Sequence, residues 1–292
     1  MSGTRNHSGA VSLVNYVYLL PAVLFIGLFF IFSIVFTSYI SFFEWDGFSS
    51  MRFVGFQNYV SIFSDPNFLL SIANTLIWVL SSLILSVLIP LLFAILITNS
   101  SFLSYFKFVF YLPNAIATTI GGIIMRSLVS TYGFPQILGM MGFKNLVFEW
   151  LATPYVNTLV MILSGVWQGV GLNMILFIVG LRSISPEPIE AAIIDGAGVF
   201  KKYRYVVFPL LDATFKVVLL MTLVNTFKVF DGIWIMTKGG PYRSSETLAL
   251  TMYLESFIRN HLGLGAAVAV VLSFIILFIS YFNLKKSFAP DA

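Results

Sequence analysis

Six stretches of this 292-residue chain are apolar for long enough to cross a membrane, and no other feature limits its fold so sharply. A helix needs roughly 20 apolar residues to cover about 30 Å of hydrocarbon. The stretches lie at roughly 15–43, 70–98, 106–131, 155–182, 207–236 and 262–283. Charged residues supply only 10% of the chain, against about 25% in a soluble domain. The expected fold is therefore all-α: a polytopic membrane protein with six transmembrane helices.

Lysine and arginine set the direction. With the N-terminus inside, the cytoplasmic set is Arg5, Lys107, Arg182, Lys201, Lys202, Arg204, Lys216, Lys285 and Lys286. The external set is the smaller: Arg52, Lys144, Lys238, Arg243 and Arg259, with Arg126 and Lys228 inside spans. Both termini are expected in the cytoplasm. The first stretch is too long for a signal-peptide core and no cleavage site follows, so it is expected to remain as an anchor. Tyr16, Tyr18, Phe42, Phe43 and Trp45 suit its two interfaces. No linker or repeat divides the chain, which reads as one membrane domain over 1–292 with core helices across 70–283.

Several function classes fall away. Cysteine is absent and histidine occurs only as His7 and His261, so no thiolate or histidine metal site is expected. No Gly-x4-Gly-Lys-Ser/Thr loop occurs, so ATP has no site here. The net charge of +4 follows from the positive-inside bias, and no nucleic-acid partner is expected. The spans lack the paired carboxylates of an intramembrane enzyme or an ion-coupled carrier.

One stretch is too polar to span: "PEPIEAAIIDGAGVFKKYRYVVFP", Pro186 to Pro209. Ser185 suits an N-cap, Pro186 a first helical position, and Glu187 and Glu190 the positive helix end. Gly196 and Gly198 supply freedom for a turn. A second short helix is expected over about Val199 to Tyr205, with Pro209 opening the fifth span. The result is a bent helical hairpin, either lying on lipid headgroups or docking another protein.

Glu190-Ala191-Ala192, Asp195-Gly196 and the Val206-Val207-Phe208-Pro209 ending resemble the cytoplasmic signature of binding-protein-dependent ABC importer permeases. "FVGFQNYVSIFSDPNF", "FYLPNAIA" and "TKGGPYRSSETL" resemble further segments of the maltose-permease-like carbohydrate group, the last marking the partner type with Thr-x-Gly-Gly-Pro. The resemblance implies that the loop over 185–209 couples to an ATPase. It also implies a second homologous permease, ATPase subunits holding ATP and magnesium, an extracytoplasmic solute-binding protein, and a sugar as substrate. The cell membrane of a bacterium or archaeon is the implied location, with lipid around the spans. Glycerol phosphate or another small polyol is the alternative solute.

In the fifth stretch Thr222, Asn225, Thr226 and Val229 fall on one helical face. Such groups bond either a neighbouring helix or a solute. The resemblance places these four, with Gln168, Gly169 and Leu172 on the preceding span, on the sugar-facing stripe. Gly165-x3-Gly169 has the spacing of close helix packing. Lys228 with Asp231, and Asp212 with Lys216, have ion-pair spacing. Arg126 is expected to snorkel. Glu246 to Ile258 is expected to form a helix on the outer surface, its charges away from its apolar face.

Overall fold

The computed structural model describes residues 18–227 and 229–287. Arg5, His7, Tyr16 and Lys228 lie outside them, and with Lys228 the expected pair to Asp231. Helix formation follows from the solvent: hydrocarbon offers backbone groups no partner, so each segment must bond to itself. Among the described residues four helices are long and apolar enough to cross a membrane, and two bent pairs reach six if each counts as one span.

Contacts divide the chain into two units. The first holds residues up to Ile62 and Met252–Val271. Its α1, Tyr18–Ile40, exposes apolar side chains all round, as a helix solvated by lipid would. A short antiparallel ribbon follows, β1 Phe43–Glu44 against β2 Arg52–Phe53, and then α2, Gln57–Ser64. Asn58 donates to the carbonyls of Ser41 and Phe43, at 2.8 and 3.0 Å, and ties α2 to the ribbon.

The second unit holds Phe63–Thr251 and Leu272 onward. Its α3, Pro66–Ile97, is capped by Asp65, whose carboxylate accepts from the Asn67 amide at 2.8 Å. Next come α4 (Leu103–Ala115) and α5 (Thr118–Leu128), then a short α6, Phe134–Met140. The longest partner of α3 is α7, Val156–Ser183. Beyond it lie α8, Pro186–Ile194, α9, Val199–Leu210, α10, Asp212–Phe227, and α11, Asp231–Met236. The chain continues through α12, Leu248–Ile258, and α13, Leu262–Ser287. Ala94 of α3, Phe177 of α7, Val207 of α9 and Leu211 beside α10 are fully or nearly buried in one apolar cluster.

Two expected spans are broken. The third divides at Ile116 and Ala117, with α4 and α5 bent by 99°. Pro113 has no amide to donate, and the backbone turns extended at Ile116 and Ala117. The fifth bends by 71° between α9 and α10, and Val229 and Phe230 are not helical. Pro209 therefore does not open this span; the bend falls at Leu211. A count of apolar residues measures length and is blind to the path of the backbone.

Candidate coupling hairpin and translocation stripe

The hairpin begins at Pro186, the first position of α8. Ser185 occupies the N-cap position of α8 but does not bond a backbone amide there. Its hydroxyl instead bonds the Glu187 carboxylate. That bond, followed by the residue's own backbone amide, holds the Glu187 carboxyl below the usual range. At the far end the Gly196 amide donates to the Ile193 carbonyl at 3.0 Å, and Ala197 to Ala192 at 2.9 Å. This pair of bonds is a Schellman termination, which requires a left-handed residue, and Gly196 has φ +76°. Gly198, with φ −63°, contributes no such freedom; the expected role falls to Gly196 alone.

The second arm, expected over Val199 to Tyr205, runs on to Leu210 as α9, with π-type bonding from Tyr203 to Val207. Around the turn Ile193, Ile194, Val199 and Phe200 are exposed, Ile194 at 85%. Glu190, Ala191 and Asp195 are exposed beside them, Ala192 is buried, and Pro209 is exposed near the bend. An apolar tip between acidic and basic arms is a surface that gains by being covered.

The stripe on α10 divides. Thr222 and Thr226 are buried. Asn173 of α7 donates to the Thr222 hydroxyl at 3.2 Å and to the Ser86 carbonyl at 2.8 Å. The Thr226 hydroxyl donates to the Thr222 carbonyl at 2.7 Å. Asn225 remains exposed. Val229 lies beyond the end of α10, so the four do not continue on one helix. On α7, Gly165 and Leu172 are exposed and Gln168 and Gly169 half-buried, and these positions share a face.

The glycine reading also changes. A Cβ at Gly165 or Gly169 would meet nothing within 4 Å, whereas one at Gly171 would sit 2.2 Å from the Phe110 carbonyl oxygen. Gly171 and Gly180, the latter against Thr214, make the close approaches. The first pair faces open space, which spacing alone could not distinguish from a seam. Trp167 is half-buried.

No family model matches the chain. A probable ABC transporter permease of Pyrococcus horikoshii is 34% identical over 259 residues, 87% of this chain and 89% of that protein. The chain belongs to the ABC transporter permeases. The multiple sugar-binding transport system permease of Streptococcus mutans is 31% identical over 261 residues, covering 89% of this permease and 90% of its own length. A crystal structure of a bacterial alginate ABC transporter, in complex with an alginate pentasaccharide-bound periplasmic protein, matches with a TM-score of 0.81. It covers 96% of the permease and 95% of that chain at 21% identity, and so shows the fold.

The permease also contains a polar knot that sequence reasoning missed. Arg243 and Glu246 read as surface charges, and α12 as a helix on the outer surface. Instead Glu246, Leu248, Leu250 and Thr251 are buried. Asn74 of α3 donates to the Glu246 carbonyl at 3.0 Å, and the Leu248 amide donates to the Thr75 hydroxyl at 2.9 Å. Asn157 of α7 reaches the Gly240 carbonyl at 3.0 Å and the Ser244 hydroxyl at 2.9 Å. The signal was present: Thr237 to Thr251 carries many short polar groups, each able to satisfy a buried backbone. Arg126 does not simply snorkel; its Nη1 donates to the Ile235 carbonyl at 3.3 Å. Asp212 and Lys216 pair at 2.5 Å as their spacing expects.

Proposed function

We propose that this permease is the membrane-spanning subunit of an ABC importer that moves a neutral di- or oligosaccharide into the cell by alternating access. The observation that carries the reading is the hairpin. A Schellman turn presents Ile193, Ile194, Val199 and Phe200 outward, a shape suited to a groove in another protein. The relatives' names support a sugar as cargo, and the matching transporter's bound periplasmic protein supports delivery by a solute-binding protein.

In this reading six spans place both termini and residues 185–209 in the cytoplasm, each bent pair counting once. Glu190, Ala191, Ala192, Asp195, Gly196 and Pro209 belong to the docking hairpin. Two ATPase subunits hold ATP and magnesium, a second permease completes the path, and closure of the ATPases pulls the hairpins together. Gln168, Gly169 and Leu172 on α7, with Asn225 on α10, form the solute-facing side. Thr222 supports it from behind through Asn173, Thr226 bonds back to the Thr222 carbonyl, and Val229 lies past the helix end. The cell membrane of a bacterium or archaeon is the location. Among the described residues the α7 and α10 faces carry no basic cluster, which favours a neutral sugar over glycerol phosphate.

The test is co-purification with the neighbouring permease and ATPase, native against Ile194→Asp. Loss of the ATPase with retention of the second permease supports the hairpin as the coupling element. Equal recovery of the ATPase returns the hairpin to the lipid surface.

A further inference from the structure

A cavity of about 730 Å³ opens between Arg126 and Ser127 of α5, Glu149 and Leu151 of the following loop, Met236 of α11, and Pro241. Sites for small ligands occupy roughly 300–1,000 Å³. Two opposite charges face this space. Arg126 spends Nη1 on the Ile235 carbonyl. Glu149 accepts the Thr131 hydroxyl through Oε2. Among the described residues no ion pair within 4.0 Å joins the two.

That arrangement selects its occupant. Arg126 offers only donors, and Glu149 when ionised offers only acceptors. An anion would be drawn to the first and repelled by the second, and a cation the reverse. A hydroxyl donates and accepts, so a ligand with several hydroxyls satisfies both at once. Leu151, Met236 and Pro241 supply the apolar wall that the C–H face of a sugar ring needs.

We propose that this cavity is a vestibular subsite that holds one unit of a neutral polyhydroxylated solute between Arg126 and Glu149. The solute waits there before it enters the path along α7 and α10. The inference rests on the sugar-importer reading and its orientation, which put the cavity on the outer side.

The experiment uses the complete importer in proteoliposomes, with ATP inside and the solute-binding protein outside. Uptake of labelled di- to pentasaccharides is measured first for the native complex, with labelled amino acids as the zwitterionic comparison. Glu149→Gln and Arg126→Gln are then each expected to lower sugar uptake at sub-saturating concentration about tenfold, the difference between a hydrogen bond to a charged group and the weaker one that a neutral amide offers. Lys144→Gln, on the same loop but away from the cavity, is expected to change nothing. Unchanged sugar uptake in both variants overturns the subsite and leaves the sugar reading intact. Uptake of amino acids but of no carbohydrate by the native complex overturns both. Should Arg126→Gln fail to assemble, Glu149→Gln decides alone, because glutamine keeps the Thr131 contact.

Discussion

Arg243 grips Glu246 with both ends of its guanidinium: Nε to Oε2 and Nη2 to Oε1, each at 2.7 Å. The Glu246 side chain is 2% exposed and also accepts the Thr251 hydroxyl at 2.6 Å. Losing one partner strands a buried charge, at a cost of about 3–5 kcal/mol. Arg243→Met is therefore expected to lower the unfolding temperature of the detergent-solubilised protein steeply. Replacing both, Arg243→Met with Glu246→Leu, is expected to cost less. A single variant as stable as the native chain would show that the pair carries nothing.

Glycine substitutions separate contact from open space. Gly171→Ala drives a methyl into the Phe110 carbonyl, which main chain cannot yield cheaply. About 1–3 kcal/mol of destabilisation is expected, seen as reduced yield and melting temperature. Gly165→Ala meets nothing and gains helix propensity, so it is expected to hold or improve stability. Equal effects at both sites would contradict the packing described.

Asp46 is a pH-sensitive cap. Its carboxylate accepts the amides of Ser49 and Phe48 at 2.7 and 2.9 Å, and the Ser49 hydroxyl at 2.8 Å. These bonds, the Ser49 amide foremost, lower its pKa from 3.8 to about 2. A depressed carboxyl stabilises the fold above its unfolded pKa and loses that contribution as pH falls through the folded one. The 46–49 turn is therefore expected to hold at pH 5 and to loosen as pH approaches 2, read as faster exchange of the Phe48 and Ser49 amides after correction for intrinsic rate. Asp46→Asn should abolish the pH dependence; a transition that survives it belongs to another group.

Gln168 carries a buried amide nitrogen with no hydrogen-bond partner among the described residues, set against Gly121, where a Cβ would lie 1.9 Å away. Removing an unpaired buried polar group relieves a cost of about 1–3 kcal/mol. Gln168→Met is expected to preserve or raise stability while sugar uptake falls. A clear loss of stability, with uptake kept, would give this amide a structural role instead.

Local features were legible because their causes are local. Gly196 announces its left-handed turn, Pro186 the start of α8, and the acidic-to-basic change along the hairpin its two arms. At the candidate stripe only the residue types were legible. Thr222 and Asn225 look equivalent in sequence, yet Asn173 engages the first while the second stays exposed. Nothing near Thr222 in the chain names that partner.

The same division holds for the whole protein. Its sequence alone determined that it is helical and membrane-spanning, because the length of an apolar run meets the thickness of a bilayer directly. It also determined the hairpin turn, because backbone freedom at Gly196 belongs to one residue. Tertiary structure decided why Gly171 and not Gly165 is crowded, and that Glu246 is buried with Arg243 half-buried beside it. Each of these depends on a surface contributed by a distant part of the chain, and packing energy exists only once that surface has arrived.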